Sequence, residues 1–342
     1  MYQPIQNKTK IHSTGIHLPE QVVKSDDLFA EINSETQYGI RKNWMSEKMG
    51  IIERRVAPSG SSPSDLAIPA AQQALDEATQ INPQDIDLVI FCGIERDQPE
   101  PATAHVIQDK LGLNARHAFD MANACFGFID SMQIATNYIR CGIVKYALIV
   151  TGEVPSKVMR AAIGSLKQGV DIKTARNMIG ALSVGDAGGA VILGPTESEE
   201  KSGFTLFNTL SRSKHSHECI YKQDDQGKII SGQMLMGKIT NTIIKGHKDI
   251  IDETLDLLGW DSFDWMLSHQ MGQKPFNSLA NMNGVNPEKS IKTLHKLGNI
   301  TSATFPVNYD KLIKNNNLSK GDRIGGCFAG SGVVIGQFGY IY

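Results

Sequence analysis

Long apolar runs are missing from this chain. No uninterrupted stretch approaches the roughly 20 residues that a helix needs to cross a bilayer, so no membrane span is expected. Charge of one sign is missing as well. The net charge of the 342 residues is −2, which gives no reason to expect nucleic acid or an anionic membrane as the main partner. Cysteine is sparse and unpatterned: Cys92, Cys125, Cys141, Cys219 and Cys327 make an odd, scattered set with no Cys-x-x-Cys. That spacing excludes a disulfide framework and a zinc site and fits a reducing cytoplasm. No metal and no redox cofactor is implied. The first ten residues are polar and lack the apolar run of a signal peptide.

What is present is ordinary globular material, 41% hydrophobic and 20% charged, long enough for two layered units or one large α/β domain. Lys10 to Ile16 reads as a strand, and Ser25-Asp26-Asp27 caps a helix near Leu28. Residues 34–50 read as irregular, with Trp44 and Met45 as isolated large side chains. Ser64-Asp65 opens an amphipathic helix through Ala78, with Leu66, Ala70, Ala74 and Ala78 at helical spacing. Asp87 to Gly93 and Lys145 to Gly152 are continuous apolar runs closed by glycine, the pattern of strands buried on both faces. A charged loop with two prolines, Glu95 to Pro101, follows the first of them. Residues 156–182 form a helical excursion, and Ser183 to Gly194 is a glycine-dense turn running into a strand.

The second part repeats this order weakly. Ile239 to Leu258 is a long amphipathic helix. Phe263 to His269 echoes the strand 86–93, and Gly321 to Gly336 echoes the strand 185–194. Matching β/α order suggests a duplicated α/β unit, with halves at 1–200 and 201–342. Between Glu197 and Met236 the pattern assigns no element.

Three positions carry chemistry. In Asp120-Met-Ala-Asn-Ala-Cys125-Phe-Gly-Phe128 a cysteine sits at the start of a buried helix, where free N–H groups and partial positive charge favour the thiolate. Ser268-His269-Gln270 ends a predicted strand, and Gly298-Asn299-Ile-Thr-Ser-Ala303 is a turn before a helix. Each of the three alone has a commoner structural reading: core thiol, strand-end hydrogen bonder, turn former. Each also lies at the end of an apolar strand, on the side where α/β sheets bind ligands, and residues distant in sequence meet there.

These segments resemble the three signature elements of the thiolase-fold condensing enzymes of the ketoacyl synthase III type. The resemblance extends to Gly50-Ile51 with Arg54-Arg55, the Ser64-Asp65-Leu66-Ala67 helix, Gly185-Asp186-Ala187-Gly188, Met236-Gly237 and the terminal glycine-rich segment. It implies an α/β thiolase fold, with duplicated βαβαβαββ halves in five layers, α-β-α-β-α, working as a homodimer in the cytoplasm. It also implies an acyltransferase of the ketosynthase class, its substrates thioesters of CoA or an acyl carrier protein. Cys125 would take the acyl group. The N–H groups of Cys125 and the Ser331–Gly332 turn would form an oxyanion hole. His269 and Asn299 would hold the second thioester's carbonyl.

The loop Arg96 to Ala104 looks like that of the olefin-pathway thiolases and pyrone-forming ketosynthases, which join two acyl thioesters. In that branch a glutamate of this loop enters the partner subunit's site as the base, and Glu100 matches it, with Glu95 as competitor. The implied product is a β-keto precursor of a pyrone, ketone or olefin in secondary metabolism. The alternative is elongation of acyl-CoA with malonyl carrier protein by decarboxylation. The Trp-containing thioester-binding stretch usual in the family is replaced by the longer 30–50 segment, so Arg41 and Trp44, with Phe126 beside the nucleophile, are assigned to substrate binding.

Overall fold

A computed structural model of the chain describes residues 9–197, 200–225, 229–315 and 318–342. Most of the polar N-terminal stretch read above lies outside them. Two large sheets take nine strands: β1 (Thr9–His17), β2 (Ile86–Cys92), β3 (His117–Met121), β4 (Tyr146–Glu153), β5 (Ala187–Pro195), β6 (Gly203–Ser211), β7 (Trp265–Ser268), β8 (Arg323–Gly330) and β9 (Val334–Ile341). The first sheet has the order β1-β5-β4-β2-β3 and the second β6-β9-β8-β7. In both, the first two pairings are antiparallel and the next is parallel. The second sheet thus repeats four strands of the first in the same order and sense. The fifth is reduced to a single parallel bridge between Met266 and Ser290.

Five layers follow. Helices Pro63–Glu77 and Thr103–Lys110 cover the outer face of the first sheet, and Met236–Leu258 and Gln273–Met282 cover that of the second. Between the sheets lie Gly127–Arg140 and Thr304–Lys314. The middle layer is one apolar cluster that takes Leu88, Ile90 and Ile149 from the first sheet and Phe204, Phe328 and Phe338 from the second. Phe305 sits at its centre, with its ring centroid 5.7 Å from that of Phe128 and 5.9 Å from that of Phe328. Because β4 and β2 are covered on both faces, their sequences read as unbroken apolar runs rather than alternations. None of the described helices is long and apolar enough to cross a membrane.

Two expectations are corrected. Gly321 to Gly336 does not run as one strand. It breaks after Gly330 and folds back as the antiparallel pair β8 and β9. In the repeat, β8 therefore occupies the place of β4 and β9 that of β5, one strand away from the echo read in the sequence. Within 34–50, a short helix Ser34–Tyr38 and a wide helical turn Met45–Met49 replace the expected irregular chain.

The helix Pro63–Glu77 sits unusually close to the first sheet. Its contact face is alanine (Ala67, Ala70, Ala71 and Ala74, all fully buried), and beneath it lie Gly15, Gly188 and Gly152 on the adjacent strands β1, β5 and β4. A Cβ at Gly152 would stand 1.8 Å from the Pro63 carbonyl oxygen, and one at Gly188 would stand 2.0 Å from that of Leu66. Both obstacles are backbone, so neither can step aside. Gly152→Ala should therefore destabilise the fold by about 2 kcal/mol or more. Gly164→Ala, in open space inside the helix Ser156–Gln168, should be neutral or stabilise by up to about 1 kcal/mol. Denaturant midpoints of the two variants check the contrast.

Candidate active site

Cys125 lies on a single 3₁₀ turn, Ala124–Phe126, that leads from β3 into the helix Gly127–Arg140. It is thus one step before the helix rather than on its first α-turn. Ala124 enters the turn at φ 47, a left-handed conformation rare for alanine. The end of the second sheet holds the turn in place: a Cβ at Gly330 would stand 3.0 Å from the Phe126 nitrogen and 3.1 Å from the Asn123 carbonyl oxygen.

His269 follows β7, and its N–H donates to the Cys327 carbonyl at 3.0 Å. Gln270, next in the chain, is buried and accepts the N–H groups of Thr293 and Leu294, both at 3.0 Å, while its amide donates to the Ile291 carbonyl at 2.6 Å. The segment leading to Asn299 is thereby tied to the end of β7. Asn299 does not end a strand as expected; the short helix Leu294–Leu297 precedes it, Gly298 turns at φ 66, and the Asn299 N–H then donates to the Ser183 carbonyl at 2.9 Å. The Asn299 Oδ1 accepts the Thr301 N–H at 3.0 Å. With that oxygen engaged inside its own turn, the amide group left to donate is Nδ2.

Cys125, His269 and Asn299, from three distant stretches, line one cavity of about 280 Å³. Ser331 lines it too; Gly332, the other residue expected in the oxyanion turn, lies just beyond its lining. Most of the remaining wall is apolar, including Ile239 and Ile243 from the helix Met236–Leu258, with Met234 and Met271.

Other expected residues fall elsewhere. Phe126 is not at the substrate surface. It is fully buried, and its ring fills the gap above Gly336, where a Cβ would stand 2.2 Å from it. Arg41 and Trp44 line a second cavity of about 670 Å³, together with Arg176 and Lys238. The two cavities share Met234 as a common wall. Glu100 is exposed and outside the cavity of its own chain. Glu95 is committed to an ion pair with Lys157 at 2.7 Å.

Comparisons with known proteins agree with this geometry. The profile of the 3-oxoacyl-[acyl-carrier-protein] synthase III family matches residues 119–213, and that of its C-terminal region matches residues 256–338. The beta-ketoacyl-[acyl-carrier-protein] synthase III of Natranaerobius thermophilus is 28% identical, covering 97% of this chain and 98% of its own. That of Methylococcus capsulatus is 29% identical, covering 96% and 98%. The structure of Xanthomonas campestris OleA soaked with cerulenin superposes with a TM-score of 0.92 at 25% identity, over 99% of this chain and 98% of that one. Further structures of that OleA carry substitutions of a glutamate, a histidine or a cysteine. The chain belongs to the thiolase-fold condensing enzymes of the ketoacyl synthase III type. As such it is an acyltransferase that forms carbon–carbon bonds.

Electrostatics in this condensing enzyme are set by burial. Burial lowers the His269 pKa to about 4, so the ring is neutral at physiological pH. Its Nδ1 is buried without a hydrogen-bond partner. A buried N–H with no acceptor is the costlier orphan, which favours the proton on Nε2 and makes that atom a donor toward the cavity. At Cys125 burial is also the largest effect and pushes the thiol well above its ordinary value, with the Glu153 carboxylate adding to it. This reverses the expectation of a thiolate.

Several lining residues carry no signal in the sequence. Cys219, Tyr221 and Met234 come from a hairpin, Cys219–Gln223 with Ile229–Met234. It closes over the cavity from a segment whose residues show neither clear alternation nor helical spacing. Tyr221, the one aromatic in the two strands of the hairpin, is the only cue there.

His247 lies fully buried behind His269, and burial lowers its pKa to about 3. Both histidines bind a proton more readily when the chain is unfolded. Their contribution is fully present above the unfolded value of about 6.5 and is lost as pH falls from there toward 4 and 3. The melting temperature should therefore drop between pH 6.5 and 4.5. Replacing His247 by Gln should remove up to about 1.4 kcal/mol of that loss per pH unit. Thermal melts of both proteins across this range test it.

Proposed function

We propose that the enzyme joins two acyl thioesters by Claisen condensation through an acyl-Cys125 intermediate. The observation that carries this is the meeting of Cys125, His269 and Asn299 in one largely apolar cavity. The Cys125 sulfur attacks the first thioester, and its proton leaves with the departing thiol. The acyl oxygen sits against the N–H groups of Cys125 and the Ser331–Gly332 turn. The carbonyl of the second thioester then accepts from His269 Nε2–H and Asn299 Nδ2–H, which stabilises the enolate formed on loss of an α-proton. The resulting carbanion attacks the acyl carbon, releases Cys125 and leaves a β-ketoacyl thioester.

Glu100, supplied by a second copy of the chain, is the base. Its support is twofold. Glu95, the competing carboxylate, is held by Lys157. In the OleA structures the substituted glutamate precedes the substituted cysteine by nearly the same stretch of chain as Glu100 precedes Cys125. The cavity lined by Arg41, Trp44, Arg176 and Lys238 receives the carrier of the thioester, CoA or an acyl carrier protein, at the entrance to the reaction site. The same reading divides the chain near residue 200 into a half that carries Cys125 and a half that carries His269 and Asn299. The β-ketoacyl-[acyl-carrier-protein] synthase III relatives favour a second reading, in which a malonyl carrier-protein thioester loses carbon dioxide and no base is needed.

Intact-protein mass spectrometry with product analysis separates the two. Acyl thioesters alone should acylate Cys125 and yield condensed product. Turnover only with a malonyl thioester would establish the second reading instead. Cys125→Ala should abolish the adduct. Glu100→Gln should leave the protein acylated while condensation falls by about 100-fold or more; unchanged condensation would remove Glu100 from the mechanism.

A further inference from the structure

Glu153 ends β4 and is fully buried. No Lys or Arg among the described residues forms an ion pair with it. A buried carboxylate without a cation is expensive, so its partners matter. One oxygen accepts the Ile94 N–H at 3.2 Å. The other accepts the Ser302 N–H at 3.3 Å and the Ser302 hydroxyl. That hydroxyl also pairs with the Thr151 hydroxyl at 2.8 Å. Ile94 is the root of the loop that displays Glu100, and Ser302 belongs to the turn that aims Asn299. Ile94 and Thr301 both line the reaction cavity, with Glu153 directly behind them. Loop and turn lie about 200 residues apart in the chain, and this one side chain bolts them together.

We infer that Glu153 is a positioning residue for the condensation step: through Ser302 it fixes the turn of Asn299, and through Ile94 it fixes the root of the Glu100 loop. It touches neither substrate nor Cys125: its charge adds only to the raised pKa of the thiol, while its hydrogen bonds act on the geometry of the enolate-forming step. The inference rests on the proposed function for the roles of Asn299 and Glu100. Its burial and raised pKa of about 7 accord with a carboxylate kept for its acceptors rather than for an ion pair.

The test measures the two half-reactions separately. Glu153→Gln keeps the shape but turns an amide N–H₂ toward either the Ile94 N–H or Ser302, so one tether becomes donor against donor. Condensation by this variant should fall on the order of 10- to 100-fold, while acylation of Cys125, followed by mass spectrometry, is slowed by no more than about threefold. Ser302→Ala leaves Glu153 in place and should show the same split, which keeps the test available if Glu153→Gln does not fold. Glu153→Ala removes both tethers, so adding Ser302→Ala to it should slow condensation by no more than about a further twofold. Equal losses in both half-reactions, multiplicative losses in the double variant, or unimpaired condensation would each overturn the assignment. The comparison is made in whichever condensation the wild type performs, with or without a malonyl thioester. Loss of the two-acyl reading would therefore show in the wild type alone and leave this test standing.

Discussion

Phe126 meets Gly336 in the middle layer, and the position of Cys125 follows from that contact. The ring beside the nucleophile belongs to the first sheet's connection, and the gap it fills belongs to a strand of the second. A side chain at 336 would push the ring, and with it the 3₁₀ turn, away from the end of β8. Gly330 makes the same allowance for the backbone of that turn. Phe126 is therefore a packing residue whose effect on chemistry is indirect: it seats the sulfur beside the strand ends that bring His269 and Ser331. The aromatic cluster around Phe305 holds both sheets at the separation this requires.

A largely apolar cavity determines how the chemistry is run. Burial keeps His269 neutral and Cys125 protonated, so the site holds dipoles and hydrogen-bond donors, not fixed charges. Such a site stabilises charge only as it develops on a carbonyl oxygen, where pre-aimed donors in a low dielectric count most. In the proposed two-acyl reaction the proton for the departing thiol comes from Cys125 itself, and removal of an α-proton needs a base, while the described lining of the cavity holds no carboxylate. That need is consistent with a base delivered from outside, on a loop whose own Glu95 is already paired and whose Glu100 is free in solvent.

Much of the architecture was legible because it rests on burial patterns. Unbroken apolar runs marked β2 and β4, the alanine spacing marked the helix over the first sheet, and the cysteine, histidine and asparagine each stood at a strand end or turn. The terminal glycine-rich segment was misread as one strand. Glycines permit both a strand and its reversal, and only the pairing of β8 with β9 decides which occurs. The hairpin 219–234 left no trace in the pattern, since it covers a cavity and is only partly buried. The role of Phe126 was misassigned because adjacency to a nucleophile in sequence says nothing about which way a ring points.

The layered α/β class, the strand-end placement of Cys125 and His269, the turn that holds Asn299 and the family resemblance of all three are written in the sequence, because periodicity and local turn chemistry are properties of neighbouring residues. Only the tertiary structure decided that these residues share one cavity, that Arg41 and Trp44 line a different one, that Glu95 is occupied while Glu100 is not, and that Glu153 ties together loops far apart in the chain. Those facts depend on contacts between segments separated by up to about half the chain, and hydrogen-bond partners at such separations are chosen by packing, which no local pattern records.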